Sequence, residues 1–181
     1  YSPTMHKDFG TTGPLQYTVN SSVSVQGGFS PEAEEGAIAD PVQYKTVFTG
    51  DPKGDDYFEE DSHASNYVVI KDPSHDDLDI LVLFDAGGVH DLSFSGCVFS
   101  GVTSPFGEEN LNVRQESPIY CKDLDLSYCT FETCGTIMSS ANTRMTADYC
   151  IFRNRTSVSS PSSSFDHDDI YITNSLLEDM A

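Results

Sequence analysis

The chain reads as an all-β protein built from a stacked repeat, and three observations carry that expectation. Helical periodicity is nearly absent, a cysteine-centred unit recurs four times in the C-terminal half, and the connections between units are irregular in length and rich in Gly, Pro, Ser, Asn and Asp. The best helical stretch, residues 31–39, alternates small and acidic residues and has too little apolar face for more than a turn or two.

Aligned on cysteine, the unit reads Leu92-x-Phe94-x-x-Cys97-x-Phe99, then Leu124-x-Leu126-x-x-Cys129-x-Phe131, then Met145-x-Ala147-x-x-Cys150-x-Phe152, and finally Ile170-x-Ile172-x-x-Ser175-x-Leu177. The unit is constant while the distance between copies changes, which is how a solenoid varies. Positions one and three alternate like a strand with one buried face. The next buried position comes three residues later instead of two, and that slip in parity marks a corner between two short strands. The gap holds Ser95-Gly96, Ser127-Tyr128, Asp148-Tyr149 and Thr173-Asn174, where Gly or Asn tolerates the left-handed backbone of a bend. Strand, corner and second strand describe one turn of a parallel β-helix, with equivalent residues stacked roughly 4.8 Å apart. Cys97, Cys129, Cys150 and Ser175 then form an interior ladder beside Phe99, Phe131, Phe152 and Leu177. A β-sandwich also uses short strands and Ser/Gly turns, but it predicts hairpin connections of about two to five residues, and several connections here are long.

The whole chain, residues 1–181, is expected to be one β-helix domain: N-terminal coils with long loops over 1–90 and the four repeat units over 91–181. Residues 22–25, 66–70 and 80–84 alternate as strands, separated by turn clusters such as 50–56. The serine-rich stretch 157–164 reads as a long loop, because strand-like sequence resumes at Ile170.

Charge narrows the function. Nine Lys+Arg against 29 Asp+Glu give a formal net charge of −20, which repels phosphate backbones and anionic headgroups and excludes a nucleic-acid partner. No apolar run approaches the roughly 18–20 residues of a spanning helix, so no membrane insertion is expected in this segment. Five cysteines, Cys97, Cys121, Cys129, Cys134 and Cys150, match no zinc spacing. Three occupy the inward register and read as buried structural thiols. Cys121 and Cys134 lie outside the ladder and could pair in an oxidising compartment.

The N-terminal half carries a second signal. Tyr1-Ser-Pro-Thr, Val23-Ser-Val25-Gln-Gly27-Gly28-Phe29-Ser30-Pro-Glu32, Thr46-Val-Phe-Thr-Gly50-Asp51-Pro-Lys-Gly54-Asp55-Asp56 and Ser65-Asn66-Tyr67-Val68-Val69 follow one another in that order. This order resembles the opening coils of bacterial extracellular right-handed β-helix proteins of the choice-of-anchor type, over about residues 1–102. Tyr67-Val68 stands where those families carry His-Val, and Phe48-Thr49 where they carry Leu-Ser. The resemblance implies a secreted or cell-surface bacterial protein in which the β-helix is a stalk or binding surface. It also implies a fragment of a longer helix, with a signal peptide and first coil before Tyr1 and further coils and an anchoring tail beyond Ala181.

Few residues stand out for chemistry. Asp51, Asp55, Asp56 and Asp61, with Glu59 and Glu60, could bind calcium, since a hard cation wants six to eight oxygens, but their spacing is not that of an EF-hand. Asp72, His75, Asp76, Asp77 and Asp79 raise the same question, as do Asp166, His167, Asp168 and Asp169; no other cofactor is expected. A polysaccharide lyase needs a basic residue to take the proton α to a uronate carboxylate; Lys122, Arg144, Arg153 and Arg155 are the candidates, against a global field that opposes an acidic substrate. No residue is assigned as catalytic. The expected function is a non-catalytic stalk or adhesive surface contacting glycans or partner proteins, through exposed side chains and residues 50–62, 103–116 and 157–169. The alternatives are a polysaccharide lyase or glycosidase using a groove on one sheet, and an accessory subunit of a larger surface assembly.

Overall fold

A computed structural model of the chain describes residues 17–49, 57–60, 68–71, 84–86, 89–101, 119–134, 136–138, 144–153, 157–159 and 169–178. All regular structure among the described residues is β. The strands recur in threes: β1 (Tyr17–Thr18), β2 (Val23–Gln26) and β3 (Thr46–Thr49); then, after β4 (Tyr57–Glu60) and β5 (Val68–Lys71), β6 (Phe84–Asp85), β7 (Leu92–Ser95) and β8 (Cys97–Ser100). Next come β9 (Ile119–Tyr120), β10 (Asp123–Ser127) and β11 (Thr130–Glu132), then β12 (Thr136–Met138), β13 (Arg144–Asp148) and β14 (Ile151–Arg153), and last β15 (Ser157–Ser159), β16 (Asp169–Thr173) and β17 (Leu176–Leu177).

The middle strand of each set joins a five-stranded parallel sheet in the order β2-β7-β10-β13-β16, and the third strand joins another in the order β3-β8-β11-β14-β17. The short first strands pair parallel as β1-β6-β9 and β12-β15. Register follows the repeat. Leu92, Leu124, Met145 and Ile170 are successive partners on the first sheet, as are Phe94, Leu126, Ala147 and Ile172. Phe99, Phe131, Phe152 and Leu177 are partners on the second. A fifth member, missed by aligning on cysteine, precedes them: Val23 faces Leu92, Val25 faces Phe94, and Phe48 faces Phe99, with Thr46 where the others carry Cys or Ser. It escapes the pattern because residues 27–45 are inserted at its corner.

The corner is the predicted parity slip. Gly96, Tyr128, Tyr149 and Asn174, each just before the cysteine or serine, have φ of 64°, 52°, 52° and 50°. For a non-glycine residue that conformation costs about 1–2 kcal/mol, and the main chain compensates by continuing the ladder through the bend. Gly96 N–H donates to Ser127 O (3.0 Å), Tyr128 N–H to Asp148 O (3.0 Å) and Tyr149 N–H to Thr173 O (3.2 Å). The following side chain turns inward and donates to the carbonyl two residues back: Cys97 Sγ to Ser95 O, Cys129 Sγ to Ser127 O and Cys150 Sγ to Asp148 O, each at 3.4 Å, and Ser175 Oγ to Thr173 O at 2.7 Å. A small polar-tipped side chain is needed there, because it fills the inside of the bend and satisfies a carbonyl.

The inward residues of both sheets other than Val23 at one end and Leu177 at the other, which are exposed, form one core with Phe84, Ile119 and Ile137 from the short strands. Phe48, Phe99, Phe131 and Phe152 stack in a column with centroids 5.5, 4.7 and 5.5 Å apart. Parallel in-register pairing produces the column directly, since identical positions sit one sheet spacing apart. Each such stacked pair adds about 0.5–1.5 kcal/mol to the burial of the rings.

Two segments differ from their sequence reading. Residues 57–60, expected within an irregular acidic loop, form β4, which pairs antiparallel with β5. Tyr57 and Phe58 favour a pleated surface, and the neighbouring glutamates mask that preference. Ser157–Ser159, expected within a serine-rich loop, form β15, held by backbone pairing to β12, a context that serine composition does not advertise.

Candidate functional site

On the first sheet, side chains alternate in and out, so the outward column through β2, β7, β10, β13 and β16 is Ser24, Ser93, Asp125, Thr146 and Tyr171. A second outward column is Gln26, Ser95, Ser127, Asp148 and Thr173. The members of these columns on β2, β7, β10 and β13 line a trough of about 520 Å3. The hydroxyls and carboxylates along it are bonded to one another and to Arg144. Ser24 Oγ and Ser93 Oγ are 2.5 Å apart, Thr146 Oγ1 donates to Asp125 Oδ1 at 2.5 Å, and Arg144 Nη2 lies 3.5 Å from Asp125 Oδ2.

Asp148 closes one end. Its Oδ1 accepts from Thr173 Oγ1 (2.7 Å) and Asn174 Nδ2 (2.8 Å), and these bonds hold its carboxyl below the usual carboxylate range. Beyond it, Tyr171 donates its hydroxyl to Asp169 Oδ1 at 3.1 Å, and that bond together with the Asp169 charge pushes the phenol upward. Tyr128 and Tyr149 directly follow the trough residues Ser127 and Asp148 in the chain, at the corner, 59% and 51% exposed, their rings stacked 5.2 Å apart.

The trough offers carboxylate and hydroxyl oxygens in register with the strands, one row per repeat, and two exposed, stacked phenol rings come next in the chain after its residues Ser127 and Asp148. That set accepts hydrogen bonds from a polyhydroxylated ligand and packs against its C–H faces. It carries more negative than positive groups, so it suits neutral ligands better than polyanions.

Among the described basic residues weighed for lyase chemistry, Arg144 and Arg153 are not brought together. Arg144 lies on the first sheet against Asp125, while Arg153 lies on the second, where its Nε and Nη2 donate to Glu132 Oε2 at 3.0 and 2.6 Å. Lys122 is exposed before β10, its N–H donating to His90 O at 2.9 Å. Arg155 lies outside the described residues, as do Asp51, Asp55, Asp56 and Asp61 of the calcium expectation, the Asp72–Asp79 group, and Asp166, His167 and Asp168. Glu59 and Glu60 fall in β4. Among the described residues no group of three or more His, Cys, Asp or Glu could hold a metal ion.

All five cysteines are buried thiols. Cys121 Sγ donates to Asp123 O at 3.4 Å and Cys134 Sγ to Phe99 O at 3.5 Å, so these two, considered for pairing, bond instead to carbonyls on different strands. Cys129 lies between its ladder neighbours. The hydrogen bond from Cys150 favours its thiolate, but the Cys97 bond and burial prevail and push it up to about 12. Cys150 is pushed up by its bond to Cys129 and by burial, whereas Cys97 is lowered by the bond from Cys129.

Sequence reasoning noted Tyr128, Tyr149 and Asp148 only as corner residues and passed over Asp125 and Thr146. Reading the x positions of the aligned repeat as one outward column would have found them. No protein-family model matches the chain, and no curated protein and no solved structure matches it. Among the described residues no helix is long and apolar enough to cross a membrane.

Proposed function

We propose that the chain is a right-handed parallel β-helix module of a secreted or cell-surface protein, and that it contacts glycans without catalysis through the trough of its first sheet. Support for the solenoid is the recurrence of strands in threes with every repeat pair parallel and in register. The N-terminal resemblance to bacterial extracellular β-helix proteins supports the location. One observation carries the functional reading: hydroxyls and carboxylates of Ser24, Ser93, Asp125, Thr146 and Asp148 line an outward trough, and the exposed, stacked rings of Tyr128 and Tyr149 directly follow two of its residues, Ser127 and Asp148, in the chain. Arg144 and Arg153 favour a non-catalytic role, because each is engaged by a carboxylate and they lie on different sheets. A second reading, polysaccharide hydrolysis, draws on Asp125 and Asp148 sharing one trough, since glycosidases work with paired carboxylates.

The test is retention of the purified chain on immobilised neutral and uronic-acid polysaccharides, with and without calcium, while released reducing ends and unsaturated products are followed. Retention on neutral glycans without products, lost in Tyr149→Ala and weakened in Asp125→Asn, is the expected result. Product release abolished by Asp125→Asn or Asp148→Asn moves the assignment to a hydrolase. Neither retention nor products overturns both readings and leaves a stalk or assembly subunit.

A further inference from the structure

Tyr128 and Tyr149 form a pair with chemistry that glycan contact does not use. They occupy the same corner of successive repeats, each at φ 52°, and their main-chain N–H groups are both bonded into the next repeat. The backbone therefore fixes where the two side chains start. Their rings lie 5.2 Å apart between centroids and 4° from parallel, and more than half of each residue is exposed. The pair is isolated, because the same corner position carries Gly96 in the preceding repeat and Asn174 in the following one. Every other stacked ring pair among the described residues includes a phenylalanine. Tyr171, 56% exposed, lies against no ring among the described residues.

Phenols differ from phenyl rings in one respect that matters here. Loss of one electron and the hydroxyl proton gives a phenoxyl radical with spin on the ortho carbons, and two such radicals in contact couple. Holding them together replaces an encounter by an intramolecular step, which favours the pair over collision between molecules. Both rings are accessible to an oxidant in solvent, unlike the phenylalanine column.

We propose that Tyr128 and Tyr149 are an oxidative modification site, at which a peroxide-driven one-electron oxidant joins them as dityrosine and staples two neighbouring repeats through their corner. One Cε–Cε bond forms. The ortho hydrogens on the coupled carbons shift to the oxygens and restore both phenols, so the protein loses two protons and two electrons overall. One hydrogen peroxide accepts them and becomes two waters. The staple spans a corner that the main chain already holds in a left-handed bend, so it fixes an existing arrangement.

The experiment treats the full chain with a haem peroxidase and hydrogen peroxide. The expected product is a monomer on a denaturing gel, lighter by two hydrogen atoms, with dityrosine fluorescence and a cross-linked peptide joining Tyr128 to Tyr149. Its yield per chain stays constant on dilution of the protein. Tyr128→Phe and Tyr149→Phe, which keep the ring stack and are checked for an unchanged far-UV spectrum and melting temperature, abolish the monomeric product; Tyr171→Phe retains it. Covalent dimers alone, a monomer cross-link mapping to other tyrosines, or no cross-link overturns the proposal. All of these readouts are independent of glycan retention.

Discussion

Phe131 lies on Phe99 with ring centroids 4.7 Å apart and planes 6° from parallel, and both residues are fully buried. Phe131 also stacks on Phe152 from the other side at 5.5 Å, so it sits mid-column with a ring on each face. Phe131→Ala removes both stacks and leaves a cavity that neighbours held in register cannot fill; the expected cost is about 3–5 kcal/mol. Leu177 holds the equivalent place one repeat beyond Phe152 but is 49% exposed, and Leu177→Ala is expected to cost under about 1 kcal/mol. Urea denaturation of the two variants checks the contrast, and similar losses would mean that the column is not the centre of stability.

At the opposite end, the inserted residues 27–45 depend on glycines for different reasons. A Cβ on Gly27 would lie 2.5 Å from Gly96 O and 2.8 Å from Thr46 Cβ, so the obstacle is space. Gly28 combines crowding, 2.7 Å to Pro41 N, with φ +89°, whereas Gly36 at φ +87° has nothing within 4 Å. The expected order of destabilisation is Gly28→Ala, then Gly27→Ala, then Gly36→Ala, the last losing only the backbone penalty of about 1–2 kcal/mol. Thermal melts of the three variants test the order, and an equal effect at Gly36 would remove crowding as the cause.

The repeat was legible because parallel stacking forces equivalent positions into equivalent surroundings. Leu124, Cys129 and Phe131 therefore read like Leu92, Cys97 and Phe99, and the corner announced itself as a break in alternation. The first member stayed hidden because Thr46 replaces cysteine and the insertion separates Val25 from Phe48. Outward columns were harder to see. Ser93, Asp125, Thr146 and Tyr171 share no residue type, since solvent does not impose one, and only the register brings them together. Left-handed Tyr128 and Tyr149 were also unexpected, because glycine and asparagine are the ordinary occupants of that conformation. Here the backbone bond across the corner and the stacked rings stand against the strain.

Asp148 gives the molecule a pH-dependent tie between repeats. Thr173 Oγ1 and Asn174 Nδ2 both donate to its carboxylate, which lowers its folded pKa below the unfolded value of about 3.9. The unfolded chain then binds the proton more readily. Asp148 therefore contributes stability above its ordinary pKa and loses that contribution as pH falls through the lowered folded value. Thr173→Val is expected to raise the Asp148 titration midpoint towards the ordinary aspartate value, followed by carboxyl NMR. An unchanged midpoint would assign the depression to another source.

Access, not acidity, is expected to govern the ladder thiols. Cys97 has a lowered pKa from the Cys129 hydrogen bond, while Cys129 is pushed up to about 12, so acidity alone makes Cys97 the faster nucleophile. All three ladder thiols, however, are only 1% exposed. In native buffer at mildly alkaline pH, iodoacetamide should then leave Cys97, Cys129 and Cys150 unlabelled on a timescale that alkylates an exposed thiol fully. Urea beyond the unfolding midpoint should release all five. Between these limits the labelling rates of the three should rise together with denaturant, because one opening event exposes the whole ladder. Native labelling of Cys97 at a rate insensitive to denaturant would show that the corner opens locally and that its acidity is available to chemistry.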